Sequence, residues 1–306
     1  MNSRELAKIR RAKLDRELSH LFSCNPLSQR DVRKIIGQKA PSAFTFIRCQ
    51  QEFIVAVDEN DRKDSKVKYE LDVWGFVFFF ELMASGIKNL HFIINTSQNT
   101  DIRNEKWFVL FLRRISYLKN QSKNEFSHKI SLLNHSKLSA IAIPAWSLEN
   151  NKEYLAYLPE DLPERNPKSD RNREHVLQWK IMENIKRDSP KSLVIPEFPC
   201  QVILPNGDKK KLSIDLIDFG PKEIRIIEVK HGDNKDLDAV PQTLDYFIFI
   251  NKTLNQILKS RMILDTGSLK SVHCYLAAPM AHPLFEKAAK AYSILGFKIE
   301  FIEVEE

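Results

Sequence analysis

The chain has few glycines and none of the glycine-rich patterns that bind phosphate. Eight of its 306 residues are glycine, and no Walker-type or dinucleotide-binding glycine loop occurs. The zinc-protease pattern H-E-x-x-H and the nucleophile-elbow pattern G-x-S-x-G are also absent. These absences count against the common nucleotide-binding, zinc-protease and serine-hydrolase classes.

Cysteine is scarce and widely spaced. The four cysteines are Cys24, Cys49, Cys200 and Cys274, and no two of them form a C-x-x-C pair. This spacing matches neither a zinc knuckle nor an iron–sulfur cluster. We therefore expect buried free thiols in a reducing compartment.

Long hydrophobic runs are missing as well. The longest one is Val73–Phe80, bounded by Asp72 and Glu81, and a membrane helix needs roughly 20 apolar residues. The N-terminus lacks the apolar core of a secretory signal. We expect a cytoplasmic protein with no membrane partner, in which Val73–Phe80 forms a buried helix or strand.

Positive charge is concentrated at the start of the chain. The net charge is +7, and the first 39 residues hold 10 basic residues against 4 acidic ones. Such a segment could contact nucleic-acid phosphates. A solvated helix face is the alternative interpretation, and the sequence leaves both open.

Composition predicts two domains of the α/β type. Residues 158–172 hold three prolines and many polar residues, which is typical of a linker. The predicted domains are therefore residues 1–157, an α/β or α+β domain of unknown role, and residues 173–306.

Periodicity and turn signals predict the elements of the first domain. Ser28, Asp31 and Gly37 are typical of a capped short helix. The preceding segment is predicted to be an amphipathic helix, because its apolar residues lie near helical spacing: Leu6, Ile9, Leu14, Leu18, Leu21 and Phe22. Further strands are predicted at Ala43–Arg48, Glu52–Val57, Leu90–Ile94 and Ser139–Ile143, and further helices at Tyr69–Ser85 and Glu105–Lys119.

The second domain has the predicted order α-β-β-β-α-β-α-β. Asn206-Gly207 is a strong hairpin signal, and the final strand–helix–strand implies parallel pairing. The predicted bounds are Arg173–Lys186, Leu193–Leu204, the strands that carry Asp215 and Glu228, Ala239–Ile263, Val272–Ala277, Pro283–Leu295 and Lys298–Val304.

An aspartate and a Glu-x-Lys triplet flank a predicted turn in this domain. Asp215 lies thirteen residues before Glu228, and Gly220-Pro221 separates the two strands. Because residues alternate faces along a strand, Glu228 and Lys230 point the same way. Two carboxylates and an ammonium group then converge at one sheet edge, which suits Mg²⁺ and a water placed for phosphodiester attack.

Residues 173–280, about a third of the chain, resemble the PD-(D/E)xK nuclease superfamily, in particular its RecB-like branch. The resemblance implies a restriction-endonuclease-like αβββαβ core. It departs from the family at Ile214, where the name-giving proline is absent, and it lacks the four-cysteine cluster, so no iron–sulfur centre is implied. The matching residues are Glu174, Asp215, Glu228-Val229-Lys230, Gln242 and Tyr246.

Charge and geometry suggest the roles of these residues. Asp215 and Glu228, with the Val229 carbonyl, would bind Mg²⁺ or Mn²⁺, and Lys230 would orient or deprotonate the attacking water. Glu174 would act as a further ligand or as a base outside the ligand set. By resemblance, two helix residues four positions apart would steady the site or touch the nucleic-acid backbone: Gln242 and Tyr246.

Each role has a simpler alternative. Asp215 could be an exposed strand residue, as we expect of Asp218, and Glu228 with Lys230 could form a surface salt bridge. Glu174 could serve only the helix N-terminus, with Glu183 as its competitor. The remaining candidates are Glu197 near the site, His231, which alternation turns to the opposite face, and Lys209, Lys210 and Lys211, which contact either phosphate or solvent.

The sequence favours a metal-dependent nuclease that acts on DNA rather than RNA. By analogy, such two-domain chains occur in prokaryotic restriction and phage defence, and many cut duplexes as homodimers. Two alternatives remain open. One is a nucleic-acid-binding module without turnover, and the other is a nuclease gated by a nucleotide or protein regulator bound to residues 1–157.

Overall fold

The computed structural model describes residues 3–59, 68–96, 101–122, 127–144, 154–156, 173–220, 223–232, 237–261 and 271–305. The chain divides into two compact units, residues 1–145 with 290–296 and residues 146–289 with 297–306. Both units are of the α/β type, as predicted. The predicted linker, 158–172, lies outside the described residues.

The first unit contains a five-stranded mixed sheet in the order β1-β2-β3-β4-β5. The three central strands are parallel, and each outer strand is antiparallel to its neighbour. The strands are β1 Phe44–Cys49, β2 Glu52–Asp58, β3 Asn89–Asn95, β4 Ser127–Asn134 and β5 Lys137–Ala140. The helices are α1 Ser3–Phe22, α2 Gln29–Ile36, α3 Leu71–Met83 and α4 Lys106–Gln121.

The short helix α2 begins and ends where its capping residues predict. The Ser28 hydroxyl accepts a hydrogen bond from the Asp31 N–H, and the Asp31 carboxylate accepts one from the Ser28 N–H. Gly37 ends the helix with φ of 83°, a left-handed conformation that costs glycine little.

The apolar run Val73–Phe80 lies inside α3, where every residue from Leu71 to Phe79 is buried. Phe78 places its ring 4.5 Å from that of Phe46 and 5.2 Å from that of Phe53. Aromatic packing of this kind adds to the stability that apolar burial provides. The prediction of a buried helix is confirmed.

The end of the first sheet differs from the prediction. β4 and β5 form a hairpin in which Asn134 pairs with Lys137, so the strand predicted at Ser139–Ile143 is wrong in its bounds and β4 was missed. The two turn residues, His135 and Ser136, have φ of 46° and 60°. This turn normally uses Asn-Gly or Asp-Gly, and its usual sequence signal is therefore absent here.

Two of the four cysteines form a disulfide, which corrects the expectation of four free thiols. Cys24 follows α1 and Cys49 ends β1, and their Cα atoms are 5.8 Å apart. Packing of Leu14 and Leu18 of α1 against the sheet brings the two together. Cys200 and Cys274 are free and buried, as predicted.

The second unit contains a six-stranded sheet in the order β11-β10-β9-β8-β7-β6. β9, β10 and β11 are parallel, and the remaining neighbours are antiparallel. The strands are β6 Tyr154–Ala156, β7 Leu193–Ile203, β8 Lys209–Phe219, β9 Glu223–Val229, β10 Ser271–Ala278 and β11 Glu300–Glu303. Its helices are α5 Arg173–Asp188 and α6 Ala239–Arg261. Helix α7, Phe285–Ile294, begins in this unit, and its residues from Lys290 onward are counted with the first unit.

From α5 to β11 the elements follow the predicted order, and the parallel pairing of the last two strands is confirmed. One face of the sheet packs against α5, where Leu177 and Met182 meet Leu216, Ile227 and Val229. Among the described residues, no helix is long and apolar enough to cross a membrane.

Candidate functional site

The strands β8 and β9 bring the two predicted carboxylates opposite each other. The ladder between them runs from Phe219 and Ile224 to Leu216 and Ile227, so one further step places Asp215 opposite Glu228. There the backbone pairing ends. The Val229 N–H donates instead to Asp215 Oδ2 at 2.8 Å, which fixes the carboxylate at the point where the strands separate.

Lys230 follows directly after β9, and its side chain lies against the same carboxylate pair. The Lys230 backbone N–H donates to the Ala277 carbonyl at 2.9 Å, which extends the pairing with β10. Its Nζ donates to Glu228 Oε1 at 2.6 Å and to Gln242 Oε1 at 3.2 Å. The lysine is therefore held between β9 and α6.

The two carboxylates are unfavourably placed as anions. Burial, followed by the charge of Glu228, raises the pKa of Asp215 well above its ordinary value. Burial also raises the pKa of Glu228, although Lys230 acts in the opposite direction. Glu228 is 2% exposed, and its Oε2 atom is buried without a hydrogen-bond partner, which is costly for a carboxylate.

Lys230 remains an ammonium group in this environment. Burial lowers its pKa, but the charges of Glu228, Asp238 and Asp215 outweigh burial, so the pKa lies above its ordinary value. One ammonium group therefore faces several carboxylates. Within the described residues, Lys230 is the cation whose charge acts on both Asp215 and Glu228, so this cluster holds more carboxylates than ammonium groups.

Glu174 lies near this cluster, in the first turn of α5. Its charge contributes to raising the pKa of both Asp215 and Glu228, and the side chain is half-buried. Its competitor Glu183 is exposed further along the helix, and His231 is exposed beyond Lys230. Of the two glutamates, the structure brings Glu174 to the carboxylate pair.

The two predicted residues of α6 also face the site. Gln242 accepts the hydrogen bond from Lys230. Tyr246, one turn further, is 6% exposed, and burial, with the charges of Glu228 and Asp215, raises the pKa of its hydroxyl well above its ordinary value. The tyrosine therefore stays neutral and is positioned by α6.

Sequence reasoning missed Asp238, which directly precedes α6. It is 6% exposed, its carbonyl accepts the Gln242 N–H at 3.0 Å, and its charge acts on both Glu228 and Lys230. Asp238, Gln242 and Tyr246 are spaced four apart, so they share one side of α6. That spacing is the signal that could have revealed it.

Glu197 interrupts β7 at the level of Asp215. The register pairs Pro196 with Leu216 and Phe198 with Ile214, which leaves Glu197 opposite Asp215 but outside the ladder. Its φ is 50°, a conformation that is unusual for glutamate. Its Oε1 atom accepts a hydrogen bond from Gln178 at 3.4 Å. Backbone strain of this kind is common beside functional sites.

Asp218 differs from the expectation of an exposed strand residue. It is fully buried, and the Arg225 guanidinium donates to its Oδ2 at 2.7 Å through Nε. Asp218 and Arg225 are direct partners across β8 and β9. Because this pairing depends on the register, the burial could not be anticipated from alternation alone.

The donor set suits a small hard cation. Asp215 and Glu228 offer carboxylate oxygens, one of them unpartnered, and Mg²⁺ binds oxygen ligands while retaining several waters. The Val229 N–H donates to Asp215, and the role of the Val229 carbonyl as a metal ligand stays a prediction. In the parts of the chain that the structure describes, no group of three or more His, Cys, Asp or Glu side chains is placed to hold a metal ion. A cation here would therefore depend on water or substrate oxygens for its remaining ligands.

Comparisons with known proteins add no functional information. No protein-family model matches the chain, and no curated protein matches it. The crystal structure of protein VC1899 from Vibrio cholerae aligns at 10% identity over 78% of this chain and 77% of that chain, with a TM-score of 0.26. Likeness at that level carries no argument, and function has to be inferred from the residues of the site.

Proposed function

We propose that the second unit is a metal-dependent nuclease of the PD-(D/E)xK type, with nucleic acid, DNA before RNA, as its substrate. The observation that carries the proposal is that two facing carboxylates, Asp215 and Glu228, share one lysine. Lys230 Nζ lies 2.6 Å from Glu228 Oε1. Carboxylates with raised pKa values beside a lysine are typical of functional sites. The order α5-β7-β8-β9-α6-β10 also matches the core that this resemblance implies.

Asp215 and Glu228 would hold Mg²⁺ or Mn²⁺, with Glu174 as a further ligand or as an outer base. The bound ion supplies Lewis acidity toward the phosphodiester and lowers the pKa of a coordinated water. A cation between the carboxylates would also offset the repulsion from Glu228, which adds to burial in raising the pKa of Asp215. The Glu228 Oε2 atom would gain the partner that it lacks.

Lys230 would act as a positioned cation rather than as a base. Its raised pKa keeps it protonated in the metal-free site, and as a cation it is suited to orient the attacking water and to offset charge on the pentavalent transition state. The water oxygen would form the new P–O bond and give up a proton to Glu174 or to solvent, while the bond to the leaving oxygen breaks and that oxygen takes up a proton from solvent. Gln242 would hold the lysine in place through the hydrogen bond to Nζ.

The test is cleavage of plasmid and oligonucleotide substrates with Mg²⁺ or Mn²⁺. We expect wild type to cleave, and Asp215→Asn and Lys230→Met each to lower the rate by about 10²- to 10³-fold, the usual loss for one electrostatic catalytic group. Asp188→Asn is the matched control, because Asp188 is exposed at the end of α5 and should leave cleavage unchanged.

Other outcomes of this experiment would favour a different function. Nucleic-acid binding without cleavage in wild type and all variants would point to a module without turnover. Cleavage that requires an added nucleotide or protein would point to regulation through the first unit. Cleavage that survives both Asp215→Asn and Lys230→Met would place the activity elsewhere and contradict the proposal.

A further inference from the structure

The strand β7 loses its regular alternation at Glu197. Val194 belongs to the core cluster that α5 forms with the sheet. Phe198, four residues further, places its ring 6.4 Å from that of Phe249 in α6. Residues four apart in a regular strand lie on one side of the sheet, so the left-handed φ of 50° at Glu197 accounts for the change. Glycine adopts this conformation at lower cost than glutamate, and the backbone alone therefore does not explain a glutamate at this position.

The side chain of Glu197 is held by α5. The Gln178 Nε2 atom donates a hydrogen bond to Glu197 Oε1 at 3.4 Å, and His175 Nε2 lies 3.7 Å from the same oxygen. Gln178 is 3% exposed, so removing its acceptor would leave a buried amide group without that hydrogen bond, which is costly. The glutamate side chain therefore connects β7 with the first two turns of α5.

This connection lies one helical turn from Glu174. Glu174 precedes Gln178 by four residues, and residues four apart lie on the same side of a helix. The charge of Glu174 acts on both Asp215 and Glu228. On the strand side, the register of β7 and β8 places Glu197 opposite Asp215. The hydrogen bond between Gln178 and Glu197 thus joins α5 to the sheet at the level of the carboxylate pair.

We propose that Glu197 is a positioning residue that acts through Gln178 to place Glu174 beside the carboxylate pair. The inference rests on the proposed nuclease function, because it takes Glu174 as the further ligand or outer base of that site. The role requires an acceptor oxygen at position 197 and not its negative charge. Groups outside the ligand set commonly orient the ligands, and losing one costs about 10- to 100-fold in metal affinity or activity.

The first arm of the test separates the side chain from the backbone conformation. Glu197→Gln retains an oxygen that can accept from Gln178, so its kcat should remain close to that of wild type. Glu197→Gly permits the left-handed conformation but removes the acceptor, so its kcat should fall about 10- to 100-fold while KM for an oligonucleotide changes little. Wild-type activity of Glu197→Gly would assign the residue a backbone role only and overturn the proposal.

The second arm tests whether the effect passes through Glu174. Gln178→Leu should lower kcat and the calorimetric Mn²⁺ affinity about 10- to 100-fold in the chain that carries Glu174. In the Glu174→Gln chain it should change neither quantity much, because the effects of coupled residues are not additive. Met182→Ala is the control, since it removes buried volume from the same helix. It should lower the melting temperature without lowering kcat at a temperature where circular dichroism shows it folded.

The same measurements distinguish the failure of each proposal. A wild type that cleaves, with equal effects of Gln178→Leu in both chains, removes the positioning role and leaves the nuclease. A wild type that binds Mn²⁺ but never cleaves, while Mn²⁺ affinity depends on Gln178 only when Glu174 is present, removes the nuclease and keeps the positioning role at a metal site. A wild type that neither cleaves nor binds Mn²⁺ contradicts both proposals.

Discussion

The two units each bury a carboxylate beside a basic side chain, and they satisfy these charges differently. In the first unit Asp72 and Arg114 are fully buried, and Arg114 donates to Oδ2 at 2.7 Å and to Oδ1 at 3.1 Å. In the second, Lys230 reaches only Oε1 of Glu228, Oε2 has no partner, and Asp215 adds another negative charge. Burial of charge is therefore common to both, and two facing carboxylates that share one lysine distinguish the candidate site.

The largest expected effect is the loss of stability on breaking the buried pair of Asp72 and Arg114. Arg114→Met should lower the free energy of unfolding by about 3–5 kcal/mol, because it leaves the Asp72 carboxylate buried and unpaired. Chemical denaturation followed by circular dichroism measures the loss. The control is Arg187→Met, since the Arg187 and Asp188 side chains are exposed and such a pair contributes about 0–1 kcal/mol. Similar midpoints for the two variants would contradict the difference drawn between buried and exposed pairs.

The disulfide between Cys24 and Cys49 also stabilises the first unit. Cys24→Ser/Cys49→Ser should lower the free energy of unfolding by about 2–4 kcal/mol, because the cross-link restricts the unfolded chain. Adding reductant to wild type should have a similar effect and should leave the double variant unchanged. Titration of the denatured, unreduced protein with a thiol reagent should find the two free thiols of Cys200 and Cys274. Reaction of all four cysteines would show that the disulfide does not form.

A smaller change, this time a gain in stability, is expected when the repulsion between Asp215 and Glu228 is removed. In chelator at neutral pH, Asp215→Asn should raise the free energy of unfolding, on the order of 1 kcal/mol. The amide oxygen can still accept the Val229 N–H, while the repulsion from Glu228 disappears. Thermal melting of the two proteins measures the difference.

The sign of the pH dependence follows from the raised pKa of Asp215. Below the unfolded-state pKa the group is protonated in both states, so it does not affect stability. As pH rises from there toward the folded-state pKa, only the unfolded state loses the proton, and wild type loses stability relative to Asp215→Asn. A stability difference that is constant from acid to neutral pH would contradict this account.

Local sequence rules predicted much of the fold and of the site. Ser28, Asp31 and Gly37 delimit α2 because capping involves neighbours a few residues apart. The convergence of Asp215 with Glu228 follows from a hairpin and strand alternation. The placement of Lys230 beside them follows from the same two-residue period.

The parts that were missed depend on contacts between distant segments. Asp218 is buried because the register places Arg225 opposite it, and Cys24 meets Cys49 because α1 packs on its sheet. Asp238 joins the site only once α6 lies along β9. The contacts of Asp218 and of the two cysteines have no short-range signal in the sequence, and the one signal for Asp238 is its four-residue spacing from Gln242.

The most direct test of the central claim is calorimetric titration of the metal-free protein with Mn²⁺, beside Asp215→Asn. We expect saturable binding to wild type that is lost or strongly weakened in Asp215→Asn, with Asp188→Asn binding as wild type does. Absence of Mn²⁺ and Mg²⁺ binding to wild type, or equal binding to Asp215→Asn, would contradict the claim that the two facing carboxylates hold a divalent cation.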